Sequence, residues 1–167
     1  MTKQFLIVLG ASVLAVGLGV YFFYTGSSDS RLSVTGDILK VRSVEISPRN
    51  TFLMMDFRIR NTSSVIFGLR DATLYVTLAD GKEKEGQTVS RPDIDTIFKF
   101  TPLAGPKYNQ VLAMSDRIPG KVAIDRMVGA MFTNTGEEID ARKSVRLHLI
   151  DLDGKEFDLL EKKTTKQ

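Results

Sequence analysis

The sequence predicts an all-β domain of antiparallel strands, a sandwich or a barrel, set behind one transmembrane helix. Three observations carry this expectation. Residues 5–24, FLIVLGASVLAVGLGVYFFY, form an uncharged apolar run interrupted only by Ser12. After it the hydrophobic period becomes two in three separate stretches, as half-buried strands require. Between the strand-like runs stand Ser47-Pro48, Asn61-Thr62, Arg91-Pro92, Gly105-Pro106 and Pro119-Gly120, turn punctuation at the spacing of a sandwich or barrel.

The first element is the apolar run, preceded by a short flank, residues 1–4. A helix rises about 1.5 Å per residue and a bilayer core is roughly 30 Å thick, so twenty residues suffice to span it. A cleavable export signal has a shorter apolar core, roughly 7–15 residues, followed by small residues. Cleavage-like spacings exist at Ala15-Val16-Gly17 and Gly26-Ser27-Ser28, but the first lies inside the run and the second directly follows Tyr21, Phe22, Phe23 and Tyr24. That aromatic cluster reads as a membrane-interface belt. The run is therefore expected to be a retained signal-anchor contacting the lipid bilayer, with cleavage as the rival. A buried helix of a water-soluble protein would keep a polar face. Lys3 precedes the run whereas Arg31, Lys40 and Arg42 follow it, so the count of flanking cations does not fix orientation. A short N-terminal flank with one lysine fits an export signal-anchor. The expected location is the cytoplasmic membrane, single-pass, with the domain extracytoplasmic (periplasmic or extracellular); the alternative is a cytoplasmic domain tethered by its N-terminus.

Residues 25–31 read as a small polar linker, 32–161 as the domain and 162–167 as a frayed tail. The chain has 167 residues, so about 140 follow the anchor, the size of one domain with a single core. With Lys3 set aside, 22 basic residues stand against 20 acidic ones, interspersed along the chain. Without a basic stripe, no nucleic-acid partner is expected. The chain contains no cysteine, which removes disulfides, thiol chemistry and a lipid-modified cysteine.

Within the domain, Leu53, Met55, Phe57 and Ile59 alternate with Met54, Asp56, Arg58 and Arg60; Leu74, Val76 and Leu78 alternate with Thr73, Tyr75 and Thr77; Val145, Leu147 and Leu149 alternate with Ser144, Arg146 and His148. The last two runs close on Asp80-Gly81 and Asp153-Gly154, both read as hairpin turns. For the second hairpin, a two-residue loop would set Leu149 opposite Asp158. A three-residue loop with Gly154 in the left-handed conformation sets Leu149 opposite Phe157 and Leu147 opposite Leu159. Only the second register keeps apolar residues on one face, so it is the one expected. Residues 121–132 fit both periods: Ile124, Met127, Val128, Met131 and Phe132 at helical spacing, or Val122, Ile124, Val128, Ala130 and Phe132 as a strand interrupted by Arg126. Gly129 and the β-branched residues favour the strand.

The residues offer little chemistry. The lone histidine, His148, lies mid-strand on the polar face, with no cysteine or GxSxG elbow to activate. Asp151-x-Asp153-Gly154 looks like the middle of a calcium loop, but aligning the glycine puts Leu149 and Leu160 where carboxylates belong. Asp93 and Asp95 read as solvated residues on a strand or loop. Asn61-Thr62-Ser63 satisfies the glycosylation pattern. No catalytic residue, metal ligand or cofactor site is nominated, and an enzyme is not expected.

The run FRIRNTSSVIFGLRDATLYVTLADGKE resembles small immunoglobulin-like domains of the late-embryogenesis-abundant and bacterial FxLYD types: a strand ending in Asn61, a polar gap, then the Leu74–Leu78 strand closing on Asp80-Gly81. Ile118-Pro119-Gly120-Lys121 resembles the Pro-Gly turn such domains place before a following strand. The chain departs from the FxLYD signature, with Leu74-Tyr75-Val76-Thr77-Leu78 preceding Ala79-Asp80. The resemblance implies an antiparallel immunoglobulin-like β-sandwich without catalytic residues, often joined to a bacterial membrane anchor. The expectation is a membrane-anchored, non-catalytic binding or scaffolding domain with an envelope protein partner. The alternative is an accessory subunit of a transporter or secretion complex, assembled through the anchor helix at Gly10, Gly17 and Gly19.

Overall fold

A computed structural model of the chain describes the backbone of residues 3–26 and 31–161, with side chains for residues 8–22 and 31–161. The apolar run folds as one helix, α1 (Lys3–Gly26), which takes in Thr25 and Gly26 from the expected linker. Its described side chains are exposed all round, Tyr21 and Phe22 included. The side chains of Phe23 and Tyr24, the remaining linker residues 27–30 and the tail 162–167 lie outside the described residues. Among the described residues no helix is long and apolar enough to cross a membrane, so the expectation that 5–24 spans rests on the sequence of that run.

The domain consists of nine strands: β1 (Val34–Ser47), β2 (Asn50–Asn61), β3 (Phe67–Thr77), β4 (Glu83–Glu85), β5 (Gln87–Thr88), β6 (Arg117–Ile118), β7 (Val122–Phe132), β8 (Ser144–Asp151) and β9 (Glu156–Leu160). They pair antiparallel throughout. One sheet has the order β1-β2-β7-β5 and the other β4-β3-β8-β9, with β6 added on β3. Period-two alternation dictates the packing. Leu53, Met55, Phe57 and Ile59 of β2 and Val128, Ala130 and Phe132 of β7 meet Leu74 and Val76 of β3 and Val145, Leu147 and Leu149 of β8 in one buried core. The result is an antiparallel β-sandwich. Residues 122–132 form a strand because that register lays Val128, Ala130 and Phe132 beside Met55, Leu53 and Thr51 of β2, burial that a helix could not match on both neighbours.

The two Asp-Gly turns lie where adjacent strands reverse. Gly81 has φ +90° and Gly154 φ +84°, a left-handed backbone that glycine adopts without steric cost. Asp151 N–H donates to Lys155 O and Gly154 N–H to Asp151 O, each at 2.8 Å, leaving a three-residue loop at 152–154. β9 then pairs on β8 with Leu149 opposite Phe157 and Leu147 opposite Leu159, the register that this loop predicts. β4 and β5 are one extended segment that changes sheet at Gly86. A Cβ on Gly86 would come within 2.5 Å of the Phe132 ring, so only glycine lets the crossing pass against the core.

The all-β expectation needs a correction between β5 and β6. Asp93 and Asp95 sit on a helix, α2 (Arg91–Phe100), rather than on a strand or loop. Ser90 caps it, its Oγ accepting from Asp93 N–H, and Pro92 stands in the first turn, where a missing N–H costs nothing. A 3-10 turn, Pro102–Ala104, follows. A second short helix, α3 (Gly136–Asp140), begins with a capping box between Thr135 and Glu138. The half-buried reading of β2 also fails, because Phe52, Met54 and Asp56 are as buried as Leu53 and Met55. α2 and the segment after it cover the outer face of β1-β2-β7. There Val44, Phe52, Met54, Ile94, Ala104, Val111 and Met127 build a second core.

Candidate interaction surfaces

Backbone hydrogen bonds of Gln110 and Leu112 with Met127 of β7 hold the covering segment, and Arg42 fastens its middle. A bulge at Leu39 shifts the phase of β1, because Ile38 lies opposite Phe57 but Lys40 lies opposite Asp56. Lys40, Arg42 and Val44 therefore face outward with Asp56, Met54 and Phe52. The Arg42 guanidinium donates Nη1 to Ala104 O at 2.8 Å and to Pro106 O at 2.9 Å, and Nη2 to Asp56 at 3.1 Å. Asn109 Nδ2 satisfies the other Asp56 oxygen at 2.8 Å. The Tyr108 ring lies over the Arg42 guanidinium at 4.8 Å and over Lys40 Nζ at 4.7 Å, both within cation–π range. Asp56 is nearly sealed from solvent, its side chain 3% exposed, so its charge is matched within the protein. The outer rim of this layer leaves Phe100, Leu103 and Tyr108 exposed.

A second surface lies where both sheets end on the same side. β1 borders one sheet and β9 the other. Between residues 36–41 and Leu160–Glu161 they leave a cleft of ≈ 250 Å³. β1 is the longest strand, 14 residues, with Leu39 and Ile46 exposed along it. A sheet edge presents backbone N–H and C=O groups to any extended chain alongside. On the opposite side the edge strands are the short β4 and β5, three and two residues, which run continuously from one sheet to the other.

The polar face of β8 carries the most concentrated charge. His148 Nδ1 lies 2.9 Å from Asp158, Arg146 bonds Asp158 at 3.1 Å and Glu83 at 2.9 Å, and the Arg146 guanidinium stacks 4.2 Å over Tyr75. Burial works to raise the Asp158 carboxyl, but hydrogen bonds from His148 and Arg146 prevail and hold it below its usual range. Burial, helped by Glu85 and Glu83, pushes the Tyr75 hydroxyl up despite Arg146. These groups satisfy one another on an open sheet face. Among the described residues no group of three or more histidine, aspartate or glutamate side chains converges as a metal site.

Two residues singled out by their motifs have structural roles. Asn61 is 1% exposed; its amide donates to Val65 O at 2.6 Å and Ile118 O at 3.2 Å while its Oδ1 accepts from Ser63 N–H and Oγ. That side chain pins the β2–β3 loop and is closed to a glycan. Asp151 of the calcium-like sequence is also buried, accepting from Gly68 N–H at 2.8 Å and Asp153 N–H at 3.1 Å. Of the turn residues, Asp80 accepts from Lys82 N–H at 2.9 Å, which with the Lys82 ammonium lowers its carboxyl. Asp153 and Gly154 are exposed at the β8–β9 turn.

No family model matches the chain, and no curated protein does. Among solved structures it is similar to a candidate lipoprotein of Bacillus subtilis, with TM-score 0.48 and 12% identity over 80% of this chain. The chain spans only 37% of that protein. It is also similar to an uncharacterised β-sandwich protein of Clostridium difficile, with TM-score 0.41 and 14% identity over 77% of this chain and 85% of the other.

Proposed function

We propose that the chain is a membrane-anchored, non-catalytic binding domain of the cell envelope that engages an extended segment of a partner protein along the open edge of β1. The observation that carries this reading is the one-sided architecture of the sandwich. The β4–β5 side offers edges of only three and two residues, whereas the 14-residue β1 and β9 border a cleft. Strand addition at such an edge draws affinity from backbone hydrogen bonds and specificity from alternate side chains. The strand orders correspond to the A-B-E-D and C′-C-F-G sheets of an immunoglobulin-like sandwich, which supports the resemblance to the late-embryogenesis-abundant and FxLYD types. The anchor is read from residues 5–24, because a helix apolar on every side requires apolar surroundings. An N-terminus inside and the domain outside the cytoplasmic membrane agree with the single Lys3 ahead of that run.

A photo-crosslinking residue at Leu39 in the full-length chain tests the edge. Adducts with a discrete envelope protein at Leu39, and none from the short β4 edge at Lys84, are expected. Adducts at Lys84 with none at Leu39 contradict the edge as the binding surface.

A further inference from the structure

The end of the sandwich nearest the apolar segment has its own character. Leu32 enters the core six residues beyond the end of α1 at Gly26, so the chain between them reaches about 20 Å at full stretch. Contacts define which loops share that end. Lys155 Nζ donates to Leu32 O, and Thr62 N–H donates to Ser33 O at 2.9 Å. Lys121 Nζ donates to Thr62 O at 2.9 Å. Leu152 N–H donates to Gly68 O at 2.8 Å, and Gly68 pairs with Arg117. On this end Ile66 is 54% and Leu152 50% exposed, side by side in one shallow depression with Arg117.

The charge of this end is uneven. Arg31, Arg70, Arg117, Lys121 and Lys155 are exposed. Among the nearby acids Asp153 and Glu156 are exposed, but Asp151 is buried on backbone N–H groups and Asp116 is paired with Arg91 at 3.0 Å. The opposite end, around α3 and the β1–β2 turn, mixes exposed Glu45, Glu137, Glu138 and Asp140 with exposed Arg49 and Lys143. The sandwich is thus basic and apolar-tipped where the chain leads back to α1, and of mixed charge at the far end.

We infer that this basic end, with Ile66 and Leu152 at its tip, docks onto the anionic headgroups of the bilayer that residues 5–24 enter, holding the sandwich against the membrane surface. The inference rests on the spanning reading of 5–24. A short tether keeps the end near the bilayer. Lysine and arginine are attracted to anionic lipid within about a Debye length, roughly 10 Å. Apolar tips flanked by cations enter the headgroup layer as interfacial helices do.

The chain contains no tryptophan, so single tryptophans report directly. Full-length Ile66→Trp, Leu152→Trp and Ile46→Trp proteins are reconstituted in phosphatidylcholine vesicles with and without phosphatidylglycerol, floated, and read with a lipid-borne spin-label quencher. With phosphatidylglycerol, Ile66→Trp and Leu152→Trp are expected to be quenched and blue-shifted, and Ile46→Trp, on the opposite end, to be neither. Adding Arg70→Gln or Arg117→Gln should lower the docked-to-free ratio about fivefold for each charge removed while the protein still floats. Floated protein in which Ile66→Trp and Leu152→Trp are quenched no more than Ile46→Trp overturns the docking alone. Protein that fails to float overturns the anchor reading and the docking with it.

Discussion

At the scale of single residues, the side chains that matter most are polar and buried. Asn61 uses its whole amide to join the end of β2 to the β2–β3 loop and to Ile118 of β6, so Asn61→Ala removes four hydrogen bonds made to backbone and hydroxyl groups. A loss of about 2 kcal/mol is expected from the usual cost of orphaned buried groups, measured by urea unfolding. Arg42→Ala strips Asp56 of its cation and should cost about 3–5 kcal/mol, the range for breaking a buried pair from one side. Exposed pairs behave differently. The Arg58 guanidinium, bonded to Asp125 at 2.7 Å, holds the Asp125 carboxyl below its usual range. A carboxyl depressed in the folded state contributes stability above the ordinary carboxylate pKa, near 4, and that contribution is lost as pH falls through the folded value. Asp125→Asn should therefore flatten the decline of stability below about pH 4 while changing stability at neutral pH by under about 1 kcal/mol. An unchanged acid limb of the melting curve would contradict this. The role of Asn61 was half legible: its place at the end of a strand was visible, but its burial depends on the β6–β7 segment closing over it, a contact between distant parts of the chain.

At the scale of elements, legibility followed the cleanliness of the period. β2, β3 and β8 alternate strictly, and the Asp-Gly turn fixed the β8–β9 register through the left-handed glycine. β1 escaped detection because its bulge at Leu39 puts Ile38 and Val41 on the same face and breaks the alternation. α2 was readable in principle. Ser90 and Asp93 form a capping signature around Pro92, and Ile94, Ile97 and Phe98 follow at helical spacing. The turn punctuation at Arg91-Pro92 instead suggested a break between strands. Missing α2 also hid the second core, since the outward residues of β2 have no covering partner without it. Ile94, fully buried between Phe52 and Gly129, is the keystone of that layer. Ile94→Ala should cost about 2–5 kcal/mol. Phe100→Ala, at the exposed rim, should stay within about 0.5 kcal/mol of the parent. Equal losses in thermal unfolding would mean that α2 is not seated as described.

At the scale of the whole molecule, the sandwich is asymmetric in two directions. Across its width one side ends in the short β4 and β5 and the other in the longer β1 and β9 edges beside a cleft. Along its length one end is basic and apolar-tipped and the other of mixed charge. The first asymmetry suits a domain that binds an extended chain sideways, and the second suits a domain standing on a membrane by its basic end. The two are compatible, because a partner reaching the β1 edge approaches parallel to the membrane surface. Neither asymmetry was legible in the composition, whose charges nearly cancel along the chain; they arise only when the fold gathers Arg70 of β3, Arg117 of β6 and Lys155 of the β8–β9 turn at one end. The central claim is that residues 5–24 hold this sandwich on the outer side of the membrane. The most direct test is to fractionate cells expressing the chain with a C-terminal tag and add protease to intact spheroplasts. Full-length, membrane-bound and protease-accessible protein is the predicted result; a shortened soluble product, or a membrane-bound product protected from protease, would contradict it.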